Sequence, residues 1–299
     1  METSEKIAPL KEQRNAVILA HDDQRPEIQD IADFVGDSLE LSIKASRTEA
    51  KTIVFCAVTF MAETAKILSP HKKVLVPRRD SRCPMADMVT VDDLIRAKSE
   101  HPNAAVVCYV NTNADVKAES DICCTSANAV KVVESLDQDE VIFIPDMNLA
   151  HYVSTQTKKK IIPWKGFCLV HARMLASEVE AARARRPDAV VLVHPECPPD
   201  VIDLADEVLS TSGMVRYASR SDAREFLVAT EEGILYRMGK ENPGKTFMPA
   251  GTPRICSNMK KITLDDVVRS LETETYEVSL DESTIAGASR ALRRMIELP

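Results

Sequence analysis

The stretch AVVLVHPE, residues 189–196, is a continuous apolar run that stops at a histidine and a glutamate. A strand that is apolar on both faces is buried on both, as in a parallel sheet covered by helices. Two counterparts have the same form, AVILAH at 16–21 and AVVCYVN at 105–111, with starts 89 and 84 residues apart. Shorter runs follow each one: TIVFC (52–56), KVLVP (73–77), VIFIPD (141–146), a weaker KKIIP (159–163), EVLST (207–211) and FLVATE (226–231). Helix-like stretches separate them, among them EIQDIADFVGDSLELSIKA, FMAETAKIL, SANAVKVVESL, LASEVEAARARR and EEGILYRMGK. The alternation predicts an α/β chain of parallel sheets. We read it as three βα units of three or four strands, at 1–87, 88–172 and 173–257. A helical segment at 258–299, with LDDVVRSLE and ASRALRRMIEL, closes across them.

Three cysteines keep the same beat. Cys83, Cys168 and Cys256 lie 85 and 88 residues apart, each where a strand-like run gives way to a loop. One thiolate per unit, converging on one centre, would hold a metal cluster with a site left open for substrate. A cysteine in an α/β protein is more often buried filler than ligand. Cys56, Cys108 and Cys197 fit that reading, as do the adjacent Cys123 and Cys124 at a strand end. The trio fits it less well, beside Arg82 and Pro84, Gly166, and Ser257 and Asn258.

Parallel sheets bind ligands beyond the carboxyl ends of their strands. Those ends carry His21, Asp22, Asp23, Cys56, Tyr109, Asn111, Asp146, His194, Glu196, Ser210, Thr211, Thr230 and Glu231. Helix caps and loop polarity account for about half of such residues. Asp146 before a loop and Thr230 before a helix are the clearest candidates for that reading.

Composition bounds the rest. The 299 residues are 44% hydrophobic and 28% charged, a globular balance. No apolar run approaches the ~18 residues of a membrane span. The first residues, METSEKIAPLKEQ, lack an apolar signal core. A net charge of −8 argues against a nucleic-acid partner. Eight cysteines with no CxxC pair suggest cytoplasmic thiols or metal ligands, not a disulfide framework. One phosphate motif matches by letter: Gly239-Lys-Glu-Asn-Pro-Gly-Lys-Thr246 fits GxxxxGK[ST]. A P-loop needs a strand before it and a helix after it. Here a helical ILYRM precedes and an extended FMPAGTP follows, so the match reads as chance.

From Asn15 to Glu274 the chain resembles the quinolinate synthase (NadA) family. The resemblance rests on ordered motifs: ILAH-x-x-Q-x-x-EIQDIADFVGDS at 18–38, FMAETAKIL at 60–68, CPMADM at 83–88 and YVNTNADVKAESD at 109–121. They continue with CTSANAV at 124–130, IFIPDMNLAHYV at 142–153, GFCLVH at 166–171, HPEC at 194–197, STSGM at 210–214, ATEEGILY at 229–236 and CSNMKKITL at 256–264. The resemblance implies three α/β domains with pseudo-threefold symmetry around a central cavity. It implies a 4Fe-4S cluster on Cys83, Cys168 and Cys256, with the fourth iron free to act as a Lewis acid. It also implies condensation of iminoaspartate with dihydroxyacetone phosphate to quinolinate, the precursor of NAD. An aspartate oxidase or dehydrogenase upstream is a possible functional link.

Carried over residue by residue, His21, Ser38, Tyr109, Asn111, Ser126, His171, His194, Glu196, Ser210 and Thr211 match cavity residues of the family. Hydroxyls and histidines suit two carboxylates and a phosphate. Glu196 suits proton transfer, His194 would position it or bind a substrate carboxylate, and Tyr109 would bind substrate or act as a weak acid; with His21 these are the expected catalytic residues. Ser38 and Ser126 also suit helix caps.

Two positions depart from the pattern. Members usually read His-x-Tyr-Gln, where this chain reads His21-Asp22-Asp23-Gln24. A phenol titrates near ~10 and an aspartate near ~3.9, so Asp23 cannot simply take over the tyrosine's role. Ala57 stands where the family usually has glycine, which narrows the cavity. Three readings follow: an unusual quinolinate synthase, a 4Fe-4S paralogue acting on a related substrate, or a non-catalytic relative that senses iron or oxygen.

Overall fold

A computed structural model describes residues 3–298. Its twelve strands are β1 (Ala16–His21), β2 (Phe34–Gly36), β3 (Thr52–Cys56), β4 (Lys73–Leu75), β5 (Ala105–Tyr109), β6 (Ile122–Cys124), β7 (Glu140–Ile144), β8 (Lys160–Pro163), β9 (Val190–Val193), β10 (Glu207–Val208), β11 (Glu225–Ala229) and β12 (Thr246–Pro249). They form three four-stranded sheets ordered β2-β1-β3-β4, β6-β5-β7-β8 and β10-β9-β11-β12. Every pairing within them is parallel. The α/β class and the strand count per unit are as expected.

Two strands escaped the sequence reading, and a third, β6, was seen only as the strand end at Cys123 and Cys124. DFVG lies inside a stretch read as helical, which the chain breaks into a helix at Pro26–Ile31, β2 and a helix at Ser38–Arg47. β6 and β12 are short and stand at sheet edges, where little apolar length is needed. The GxxxxGK[ST] match falls across a helix at Ile234–Glu241 and the start of β12, the reverse of the P-loop order.

The units repeat in atomic detail. Asp33 Oδ2 accepts from the Ile18 N–H at 2.8 Å, Asp121 Oδ2 from Val106 at 2.7 Å and Asp206 Oδ2 from Val191 at 2.7 Å. Each aspartate returns its own N–H to the carbonyl of the same partner. Ile18, Val106 and Val191 are thus equivalent, and other positions can be counted from them. Register agrees, since they pair with Val54, Ile142 and Leu227.

Alternation along the first strands feeds two layers. In β1, Val17 and Leu19 enter one core while Ile18 and Ala20 enter the other. The first core is continuous with that of the second sheet and includes Ala288, Ala291, Leu292 and Met295 from a helix at Glu282–Ile296. Gly287 lets that helix close on Ala118, since a Cβ there would lie 2.8 Å from the Ala118 Cβ. A helix at Leu264–Thr273 covers the other face of the first sheet through Val267, Val268 and Leu271. Each such side chain contributes about 1.5–3 kcal/mol on burial. The C-terminal segment is therefore helical, and it packs on the first two sheets.

Candidate active site

The carboxyl ends of the three sheets surround a cavity of ≈ 190 Å³. Counting from the equivalent strand positions, its wall is made of rings of three. The ends of the first strands give His21, Tyr109 and His194. Two residues on come Asp23, Asn111 and Glu196. After the second strands come Ser38, Ser126 and Thr211. Cys83, Cys168 and Cys256 complete the set, and all twelve residues line the cavity, as does His171.

Ser210 is the expected cavity residue that does not line it. It caps the helix Thr211–Arg220, accepting from the Gly213 N–H at 3.2 Å, and donates to Asp37 Oδ2 at 3.1 Å. Asp37 caps the corresponding helix of the first unit and itself reaches the cavity. The cap position and the cavity position are adjacent in both units, so one residue decides which role a side chain plays.

Glu196 is fully enclosed. Its Oε2 lies 2.7 Å from His171 Nδ1 and 3.5 Å from His194 Nδ1. The carboxylate stands off the His171 ring N–H direction, so the contact is an ion pair by distance without hydrogen-bond alignment. Burial opposes charge on both partners. The pair nonetheless holds Glu196 below the usual carboxylate range and His171 above the usual imidazole range. His171 Nε2 shares a hydrogen with Thr230 Oγ1 at 2.8 Å, so Thr230 supports the site instead of capping a helix. The His171 and His194 rings stack at 4.4 Å. Burial and the neighbouring cation push His194 down to about 3, so its imidazole is neutral, and it meets Ser126 Oγ at 3.2 Å. Burial and the Glu196 charge push the Tyr109 phenol well up, so it stays protonated.

His21 is buried and held neutral by desolvation. The backbone N–H of Asp23 donates to its Nδ1 at 3.1 Å, which leaves Nε2 as the protonated nitrogen. Asp23 Oδ2 is 3.5 Å from the same Nδ1, while Oδ1 has no hydrogen-bond partner among the described residues.

The eight cysteines are free thiols. Cys56, Cys108, Cys123, Cys124 and Cys197 are buried in or beside strands, as read from the sequence. The other three face the cavity, where desolvation pushes Cys83 up to about 12, Cys256 up to about 11 and Cys168 well above the ordinary thiol value. A metal binding there must displace those protons. Two of the three are braced by carboxylates that the sequence reading did not assign. The Cys168 N–H donates to Asp146 Oδ2 and the Cys256 N–H to Glu231 Oε1, both at 3.0 Å. Asp146 also caps its helix through the Leu149 N–H at 2.7 Å. The equivalent position in the first unit is Val58, so Cys83 has no such brace. Cys168, His171 and Glu196 also bring one ligand atom each within 4.8 Å of one another. This donor set is compatible with an iron–sulfur cofactor.

A family model described as Quinolinate synthetase A protein matches residues 5–297. The chain is 55% identical over 294 residues to the quinolinate synthase of Methanoregula boonei, covering 98% of this chain and 97% of that one. It is 54% identical over 295 residues to the quinolinate synthase of Alkaliphilus metalliredigens, with 98% and 97% covered. The quinolinate synthase of Dehalococcoides mccartyi is also 54% identical, with 99% and 98% covered. This chain belongs to the quinolinate synthase family. Family membership makes it an enzyme of NAD biosynthesis. Among the described residues, no helix is long and apolar enough to cross a membrane.

Proposed function

We propose that this cavity condenses iminoaspartate with dihydroxyacetone phosphate to quinolinate, releasing phosphate and two waters. The observation that supports the reading most is the ring of three thiols, one per unit, at a cavity that also holds the buried Glu196–His171 pair. Cys83, Cys168 and Cys256 would hold a 4Fe-4S cluster, whose iron without a protein ligand supplies Lewis-acid chemistry at substrate oxygen or nitrogen. Reduced thiols of this kind suit the cytoplasm.

The protein's own groups divide the remaining work. Ser38 and Thr211 open ten-residue helices whose first N–H groups are partly taken by the Asp37 and Ser210 caps, so it is their hydroxyls that can donate to carboxylate or phosphate oxygens. Ser126 and Asn111 add neutral partners for the same anions. Charged His171 offsets the negative charge that substrates bring. Neutral His21 and protonated Tyr109 donate hydrogen bonds, and His194 keeps Glu196 in place. Glu196, ionised and buried, takes protons from carbon in the steps that build the ring.

Asp23, where the family usually has tyrosine, supports a second reading in which a 4Fe-4S paralogue acts on a related substrate. Anaerobic assay with iminoaspartate and dihydroxyacetone phosphate separates the two. Quinolinate should form, and an intact cluster with no quinolinate would favour the paralogue. Cys168→Ala should lose the cluster and its brown absorbance, whereas an intact cluster in that variant refutes the ligand assignment.

A further inference from the structure

Lys117 is fully buried on a short helix of the second unit, Ala114–Ala118. Lysines are almost never fully buried unless paired. No carboxylate among the described residues forms an ion pair with this one, and Glu63 feels its charge only from farther off. The ammonium instead donates to the Thr112 carbonyl at 2.6 Å and lies 5.2 Å from the centre of the Phe60 ring. Phe60 lines the cavity, whereas Lys117 stands behind it. Burying a charge on those terms is unfavourable for the fold, so packing does not explain the residue.

The carbonyl it holds ends the turn that carries Tyr109 and Asn111. At the start of that turn the Val110 N–H donates to the Cys124 carbonyl at 2.9 Å. Within it, Thr112 Oγ1 donates to the Tyr109 carbonyl at 3.1 Å. Asn111 lines the cavity, and its side chain makes no hydrogen bond with any described residue. Its amide is therefore free for substrate, and the backbone of the turn alone sets where it stands. The threefold repeat supplies an independent observation. Lys117 and Thr112 lie eleven and six residues beyond Val106. The same counts from Ile18 give Gln29 and Gln24, and Gln29 Nε2 donates to the Gln24 carbonyl at 2.8 Å. Two units thus clamp the carbonyl that directly follows the cavity residue, Asn111 in one and Asp23 in the other. The third unit has Ile202 at that position, which offers no side-chain donor.

We propose that Lys117 is a positioning residue for the reaction, fixing through the Thr112 carbonyl where Asn111 presents its amide to substrate. The inference rests on the reading of this cavity as quinolinate-forming. The Asn111 amide nitrogen donates to a substrate oxygen, and its oxygen accepts from a substrate hydroxyl or N–H. A displacement of about 1 Å in such a group costs about 10²-fold in rate. Lys117 never meets the substrate. What it shares with Gln29 is the clamp, not the charge, so a neutral donor at position 117 should do the same work.

The test uses the full chain, reconstituted anaerobically with its cluster, as wild type, Lys117→Met, Lys117→Gln, Asn111→Ala and the double variant Lys117→Met with Asn111→Ala. Iron content and visible absorbance should match wild type throughout. Lys117→Met should lose about 10–100-fold in kcat/KM, and Lys117→Gln should recover at least about fivefold of that loss. With Asn111→Ala already present, Lys117→Met should cost less than about threefold more, because the group it positions is gone. A purely structural lysine would cost the same in both backgrounds. Thr112→Val cuts the other fastening of the same turn while keeping its shape, and decides the matter if Lys117→Met does not fold. It should lose at least about threefold in kcat/KM, and a wild-type rate there overturns the proposal. So do Lys117→Met turnover within about threefold of wild type, a Lys117→Gln variant as slow as Lys117→Met, and an undiminished loss in the Asn111→Ala background. Wild type that holds a cluster and makes no quinolinate overturns the underlying reading, and the proposal with it.

Discussion

The first and third units meet through a buried ion pair whose removal has a calculable cost. Asp22 is fully buried, and its Oδ1 lies 2.5 Å from Arg237 Nη1. Its other carboxylate oxygen receives only a 3.3 Å bond from Ser212 Oγ. Arg237 has further partners, with Glu241 at 2.7 Å and Glu40 at 3.9 Å. Replacing Arg237 by methionine keeps much of the side-chain volume but strands the Asp22 charge. Breaking a buried pair from one side costs about 3–5 kcal/mol. For a chain of this length that is a fall of about 5–8 °C in Tm.

The other half of the cycle should behave differently. Asp22→Asn leaves a neutral amide whose oxygen still receives the Ser212 bond, and Arg237 keeps Glu241. The expected cost is about 1–2 kcal/mol. In the double variant no charge is stranded, so its cost should stay near that of Asp22→Asn, leaving about 3 kcal/mol of non-additivity. Thermal unfolding of the cluster-free protein, followed by circular dichroism, measures all four forms. An Arg237→Met loss below about 1 kcal/mol, or two single losses that simply add, would refute the reasoning. It would mean that water or Ser212 already satisfies Asp22.

Asp146→Ala removes a helix cap, worth about 1 kcal/mol, and leaves the Cys168 N–H unpaired, worth about 1–3 kcal/mol. The variant should fall by about 3–6 °C in Tm and reconstitute with less iron per chain than Val58→Ala, which removes no brace, and equal iron content in the two would contradict the bracing role. Asp23 should also make the cluster-free protein sensitive to pH in a known direction. The unfolded carboxyl releases its proton near pH 3.8 and the folded one near 7, so the native state binds more protons between those values and wild-type stability falls as pH rises through that window. The difference in Tm between Asp23→Asn and wild type should therefore grow in the variant's favour from about pH 4 to pH 7 and then level off. A difference independent of pH would show that Asp23 titrates normally.

The parts of the fold legible in the sequence are those with apolar length. β1, β3, β5, β7, β9 and β11 lie centrally in their sheets, are buried on both faces, and read as continuous runs. β2 is a three-residue edge strand inside a helix-like stretch, and its apolar residues do not separate it from the adjoining helices. The thiol trio was legible because its spacing copies the repeat. Asp33, Asp121 and Asp206 copy it as well, but an aspartate before a short strand resembles any turn residue until its hydrogen bond is known. Asp146 and Glu231 were seen as polar strand ends. Their second role, holding the backbone of a cysteine more than twenty positions away, depends on a loop path that spacing does not encode. Ser210 caps instead of lining for a related reason. Capping and lining positions differ by one residue, and only the direction of the following helix decides between them.

The rings around the cavity explain why the repeat was so faint. On the proposed reading the three thiols stay identical because each gives the same kind of ligand to one cluster. The substrates have no such symmetry, so the other rings are free to diverge. One becomes His21, Tyr109 and His194, and another Asp23, Asn111 and Glu196. The hydroxyl ring stays nearly constant as Ser38, Ser126 and Thr211, fitting a role in receiving similar anionic groups at different places. Divergence within a ring is then a map of the asymmetry of the bound molecules. On that map the amide of Asn111 shares its ring with two carboxyls, the ionised one beside His171 and the other near Lys260. A family tyrosine at position 23 would give one carboxyl, one amide and one phenol. In this chain the same position adds a second carboxyl, which burial pushes toward its protonated form while Lys260 favours its charge.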